Sequence, residues 1–412
     1  MSSTASNHSA AGDPPSRNLA TELIRNSGDA NDPYAAAAPP LYQTATFHQA
    51  DPLTGSAYDY TRSGNPTRDL LQQQLARLEQ ATTSLAYNTG MAALTALTRL
   101  VPLGGRILAG DDLYGGCWRL LSQITAAAGI EIQYLDTTNA DALENALATG
   151  ADLLLVESPT NPRMRVTDIR LAARLCRRHD CKLAVDNSLM SPLRQQPLEL
   201  GAHVVMNSAT KFLGGHSDVS AGVLSTRDPQ IAERLAFIQN AEGTALAPFE
   251  CWLLLRGLKT LPLRINQQEQ NARLIAEFLQ TQPLVKNLRW PGALEGEQAR
   301  IHNSQSSGPG TVLSFETGCV QTSAAWIRHL QCFSIAVSFG SVESTVSLPC
   351  RMSHAAIPSA ERAALALPED LIRISVGAEH GPDLKNDLQQ AFAASRFERN
   401  PNGLSFGLLH GS

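Results

Sequence analysis

At 412 residues, with 43% hydrophobic and 17% charged residues, the chain is a globular sequence too long for one core, and two or three domains are expected. A formal charge of -5 and a pI near 6.1 offer no basic field for nucleic acid, and apolar runs such as Leu153 to Val156 are far too short to span a bilayer. Seven cysteines without a CxxC pair suggest neither a disulfide framework nor a zinc site, so no metal is expected.

In chain order, the first 32 residues lack an apolar signal core and carry Asp13, Glu22, Asp29 and Asp32 against Arg17 and Arg25. A secretory signal is ruled out, an Arg-rich transit peptide is disfavoured, and the cytoplasm is the expected compartment. Ser, Ala, Asn and Asp without periodicity up to about Pro33 read as a mobile arm. Short apolar runs then alternate with helical patterns: Arg106–Ala109, Ile130–Leu135, Leu153–Val156, Leu183–Val185 and Val204–Met206 are strand-like. Alternation of this kind predicts an α/β fold with a mainly parallel sheet. Beyond Leu261-Pro262, a helical stretch from Arg264 to Leu279 leads to strand-like Thr311–Phe315, Ser334–Ser338 and Leu371–Ser375. The division is therefore an arm over 1–55, a large domain over 56–262 and a smaller α/β domain over 263–412.

Ligands of parallel sheets sit beyond the carboxyl ends of the strands. That rule directs attention to Glu157, to Asp186, and to Ser208 through Lys211. Lys211 is followed at once by Phe212, Leu213, Gly214 and Gly215, a poor setting for a solvated ammonium, and a desolvated lysine has a lowered pKa that suits imine formation. Ser208 and Thr210 put two hydroxyls beside it, as a phosphate ester near a Schiff base requires. Asp186 could meet a pyridinium nitrogen or cap a turn. Gly90 precedes a strong helix-forming run, so its amide and that of Met91 point along the positive end of a helix dipole, which is both a phosphate seat and an ordinary capped helix start. Tyr114, ahead of two glycines, could stack on a ring or simply pack.

Seven segments carry a resemblance: "YTRSGNPT" (60–67), "TGMAA" (89–93), "DLYGG" (112–116), "VESPTNP" (156–162), "VDNS" (185–188), "SATKFLGGHSD" (208–218) and "LIRISVG" (371–377). Over roughly residues 33 to 395 the chain resembles the pyridoxal-5′-phosphate (PLP) enzymes of Cys/Met metabolism. The resemblance implies the aspartate aminotransferase-like fold of type I. It implies that Lys211 holds PLP as an imine, Asp186 pairs with the pyridine nitrogen, Asn161 touches the ring hydroxyl and Tyr114 stacks on the ring. Gly90, Met91, Ser208 and Thr210 would hold the phosphate, and Arg373 with Ser338 would grip the substrate carboxylate. Tyr60 and Arg62 would reach the site of a neighbouring copy, so a homo-oligomer, as a dimer of dimers, is implied.

Longer stretches such as "DNSLMSPL" and "PLELGAHVVMNSATKF" resemble the plant-type cystathionine β-lyase branch. Val337 stands where γ-acting relatives carry Glu, and Gly116 stands where methionine γ-lyases carry Cys. Both departures favour β-elimination of L-cystathionine to homocysteine, pyruvate and ammonia. A γ-acting synthase or lyase, or a PLP-binding regulator without turnover, are the alternatives.

Overall fold

The structure, a computed structural model, describes residues 18–25, 34–353, 355 and 367–399, the last four of these by backbone alone. Most of the arm's first 33 residues, and the tail from residue 400, lie outside the described residues.

The larger sheet has seven strands: β1 (Thr83–Tyr87), β2 (Arg106–Gly110), β3 (Glu131–Leu135), β4 (Leu153–Glu157), β5 (Lys182–Asp186), β6 (Val204–Ser208) and β7 (Gly222–Thr226). Their order is β1-β7-β6-β5-β4-β2-β3. Strands β2 to β6 pair in parallel, whereas β7 runs antiparallel to both its neighbours. Near-continuous apolar runs are what a sheet covered on both faces demands. In β4 the alternation is visible in the packing: Leu153 and Leu155 join one core with Ile107, Ala109 and Ala184, while Leu154 and Val156 join another with Leu108, Leu183 and Val185. Two cores, one per face, make the sheet the wall between them.

The second sheet runs β10-β11-β12-β9-β8 and is mostly antiparallel. Its strands are β8 (Lys286–Arg289), β9 (Val312–Glu316), β10 (Ser334–Ile335), β11 (Thr345–Ser347) and β12 (Ile372–Ser375). Ala272, Ile275 and Leu279 of the helix Leu261–Gln280 pack there against Phe315, Trp326, Ile372 and Ile374, together with Leu384 and Leu388 of the C-terminal helix.

Several sequence expectations shift. The long helix begins at Leu261, three residues early, because Pro262 is tolerated in a first turn. The strand expected over Ser334–Ser338 stops at Ile335, and Ser338 turns away with φ of +81°. Strands β1, β7, β8 and β11 were not anticipated. The segment joining β6 to β7 contains no helix, so the reversal there carries none of the periodicity that marks a crossover.

Candidate active site

Parallel pairing aligns strand ends, and the ends of β4 and β5 are in register, Glu157 opposite Asp186. Lys211 follows one turn beyond β6. These residues open onto a cavity of about 550 Å³ that is also lined by Gly90, Met91, Tyr114, Asn161, Ser208, Thr210, Val337, Ser338 and Arg373. The sheet thus gathers eleven of the thirteen sequence-selected site residues around one space.

Lys211 is half-buried, and its Nζ donates to the Ser338 hydroxyl at 2.5 Å while lying 4.9 Å from the centre of the Phe339 ring. Burial brings its pKa down to about 8; the Arg373 charge pushes the same way and Asp186 opposes. A much larger share of neutral amine than an ordinary lysine offers is therefore present near neutral pH. Burial raises the Asp186 carboxyl, against hydrogen bonds from Ser188 and the Lys211 charge. The Ser188 amide donates to Asp186 Oδ1 at 2.9 Å, and the Ser188 hydroxyl accepts from the Ser208 amide at 2.6 Å. Asp186 makes no ion pair at bonding distance among the described residues, which leaves it available to a cation in the cavity.

Arg373 projects from β12 and is 2% exposed. Its Nη1 donates to Asn161 Oδ1 at 3.2 Å, and its Nη2 donates to the Ser338 carbonyl. Nε is buried without a partner. Burial lowers this guanidinium to about 10, although Glu157 and Tyr114 favour its charge. A buried guanidinium that lines a cavity and keeps one donor without a partner is suited to a carboxylate ligand.

At the other end, the Thr89 hydroxyl caps the helix Gly90–Thr98 by accepting from the Ala92 amide at 2.9 Å. The Gly90 and Met91 amides precede it and have no acceptor inside the helix. A side chain at Gly90 would press within 3.2 Å of the Ser208 hydroxyl, and one at Gly222 would collide with the Thr89 carbonyl. Glycine at both positions brings the helix start onto the ends of β6 and β7. The Thr210 hydroxyl faces the same cavity while exchanging hydrogen bonds with the Ala221 backbone at 3.0 and 3.3 Å. Amides, hydroxyls, a half-buried carboxylate without an ion pair and a lysine of lowered pKa fit the phosphate, ring nitrogen and aldehyde of PLP.

Tyr60 and Arg62 lie elsewhere. They line a separate open cleft of about 420 Å³ with Arg68 and Pro248, where Arg62 Nη1 donates to the Asn240 carbonyl and side chain at 3.0 and 2.9 Å. Sequence reasoning did not select Ser188, Phe339, Arg119, Met352 or Ser353, which also line the main cavity. Ser188 was within reach of the strand-end rule, two residues past Asp186; the other four sit on turns and a short helix to which no periodicity points.

The model of the Cys/Met metabolism PLP-dependent enzymes matches residues 20–393. The chain belongs to this family. A chloroplastic cystathionine β-lyase of Arabidopsis thaliana is 48% identical over 370 residues, covering 90% of this chain and 80% of that protein. A cystathionine γ-lyase of Bacillus subtilis is 39% identical, covering 90% and 98%. The crystal structure of cystathionine γ-synthase from Xanthomonas oryzae pv. oryzae in complex with cystathionine superposes with a TM-score of 0.90 at 35% identity, covering 92% and 99%. The fold is that of type I PLP enzymes, the cofactor is PLP, and the protein is a PLP-dependent lyase. No described helix is long and apolar enough to cross a membrane.

Proposed function

We propose that this lyase performs β-elimination on L-cystathionine, releasing homocysteine and, after hydrolysis of the three-carbon remainder, pyruvate and ammonia, a step of methionine biosynthesis. The observation that carries this reading is the composition of the cavity wall: Val337 faces the opening at 56% exposure, and Glu157 and Asp186, both at the sheet ends, are the cavity's carboxylates. Among the described residues, no anion beside Ser338 awaits the distal ammonium of cystathionine in a γ-directed pose.

Bound PLP supplies an electron sink for charge developing at the substrate Cα. Arg373, steadied by Asn161 and Ser338, holds the substrate carboxylate as a planar fork. Lys211 Nζ, in the neutral form that its lowered pKa makes more accessible, takes the Cα proton and can return it to the departing thiolate; the Tyr114 hydroxyl is the alternative donor. Asp186 would hold the ring nitrogen, Asn161 the ring hydroxyl, and Tyr114 the face of the ring. Gly90, Met91, Ser208 and Thr210 seat the phosphate, completed by Tyr60 and Arg62 of a second copy in a homo-oligomer, a dimer of dimers. The proposed division into arm, large domain and small domain places the boundary in the first turn of the helix Leu261–Gln280. None of the seven cysteines is joined in a disulfide, which accords with a reducing cytoplasm.

Incubation of the holoenzyme with L-cystathionine tests the assignment: pyruvate and homocysteine are expected as the main products. Mostly 2-oxobutyrate and cysteine would replace it with γ-lysis. Absence of turnover by the PLP-loaded protein would favour a regulator.

A further inference from the structure

Glu157 is the carboxyl group lining the cavity to which neither the PLP chemistry nor the substrate grip assigns a task. It closes β4 beside Asp186, is 6% exposed, and lies within the influence of Asp112 as well. Burial in the company of two other carboxylates is a costly place for a third, unless its oxygens serve the surrounding backbone. They do. Oε2 accepts from the Tyr114 amide at 3.3 Å, and the carboxyl also accepts from the Asn161 amide.

Those two amides belong to different loops. Tyr114 begins the short helix Gly115–Arg119 after β2, and its ring walls the cavity. Asn161 follows β4, and its side chain accepts from Arg373. One carboxyl group therefore ties the loop that carries the aromatic wall to the loop that steadies the guanidinium. We propose that Glu157 is a positioning residue whose carboxyl oxygens, acting as hydrogen-bond acceptors, hold Tyr114 and the Asn161–Arg373 pair in one arrangement, so that the carboxylate grip and the ring wall are set together.

The role is acceptance, not charge. Burial first, then the Asp186 and Asp112 charges, raise this group well above the usual carboxylate range, and acceptance does not depend on its charge, because a neutral acid still accepts through its carbonyl oxygen. Glutamine reproduces the shape and an acceptor oxygen; alanine removes both acceptors and leaves two amides without partners.

The inference rests on the proposed substrate grip but not on which carbon–sulfur bond is cleaved, and its test uses an amino acid that contains no sulfur. L-Alanine is titrated into PLP-loaded protein, its dissociation constant is read from the cofactor's absorbance, and PLP content and thermal midpoint are recorded for each variant. Glu157→Ala is expected to weaken L-alanine binding at least tenfold at full PLP content, whereas Glu157→Gln stays within about threefold of the unaltered protein and keeps its pH dependence. Should the alanine variant not fold, Glu157→Asp, which withdraws the acceptors by one methylene, is expected to weaken binding in the same direction. Unaltered binding in the folded alanine or aspartate variant overturns the proposal. So does equal loss in the alanine and glutamine variants, which would assign the effect to charge, and so does failure of the unaltered protein to bind L-alanine at all. A 2-oxobutyrate product from cystathionine, by contrast, would leave Glu157 in place and remove only the β-lyase reading.

Discussion

The two clefts of this molecule are built on opposite plans. The Lys211 cavity draws its lining from positions as far apart as Gly90 and Arg373, and its polar members are bonded to one another, as 2%-exposed Arg373 is to Asn161 and half-buried Lys211 is to Ser338. The Tyr60 cleft takes its two signature residues from one short turn. Tyr60 is 44% exposed, and the Arg62 guanidinium stacks 5.4 Å from its own neighbour's ring. Residues separated in sequence are brought together by the sheet, and residues adjacent in sequence are presented outward. An interbonded constellation can place reacting groups against one another; an exposed arginine and tyrosine are equipped to act on something that arrives.

If the first cleft carries the chemistry, its centre should be indispensable. Lys211→Ala removes the amine that bonds PLP and the base that moves the proton, so turnover of cystathionine should fall by at least about a thousandfold with the fold retained. Steady-state assay beside circular dichroism checks this, and wild-type turnover in the folded variant would dismantle the assignment.

The second cleft gives the next largest effect and the sharpest contrast. Arg62→Ala should weaken PLP retention and activity although Arg62 is remote from Lys211 in its own chain. Mixed with Lys211→Ala subunits under exchange, it should regain about a quarter of the unaltered activity, because half the dimers at equal, random mixing are hybrids and each holds one intact site. No recovery after proven exchange would mean that each chain works alone.

Much of the first cleft is legible in the sequence. Apolar runs ending in Glu157, Asp186 and Ser208 announce a parallel sheet and its carboxyl edge, because alternating burial on two faces requires such runs. Ser338 shows where legibility stops. Its sequence continues a strand pattern, but the positive φ that aims its hydroxyl at Lys211 is imposed by the tertiary setting and leaves no local signal. For Tyr60 and Arg62, local chemistry indicates a turn and nothing more; their assignment to another copy comes from the family resemblance, since a partner's surface is not encoded in the spacing of one chain.

Selectivity within the first cleft should respond more modestly. Val337→Glu places an anion at the cavity opening, where a partly desolvated pair is worth about 1–3 kcal/mol. Binding of cystathionine should shift and β-lysis should fall, measured as pyruvate and 2-oxobutyrate from both proteins. An unchanged product rate would show that position 337 does not meet the distal arm.

The last expected effect is on stability and concerns what joins the two clefts. The helix Pro66–Leu78 starts beside the Tyr60 turn, where Arg68 donates to the Thr61 and Arg62 carbonyls, and ends at Glu79, which accepts from Asn207, the residue before Ser208, at 2.5 Å. Glu79 is 1% exposed, its second oxygen has no partner, and burial raises its pKa to about 8 against a help from Asn207. An acid raised in the folded state binds a proton that the unfolded chain, near its ordinary 4.5, has already lost; stability from this group is therefore present at low pH and declines as pH rises from about 4.5 through 8. Glu79→Gln keeps the acceptor for Asn207 and cannot ionise. It should come close to the unaltered protein near pH 5 and exceed it near pH 8.5 by about 3–4 kcal/mol more, a rise of several degrees in thermal midpoint. Scans at the two pH values decide the matter: an equal gain at both would show that Glu79 does not titrate in this window, and a loss at both would show that the carboxyl is needed as an anion to hold Asn207 and, through it, the phosphate end of the first cleft.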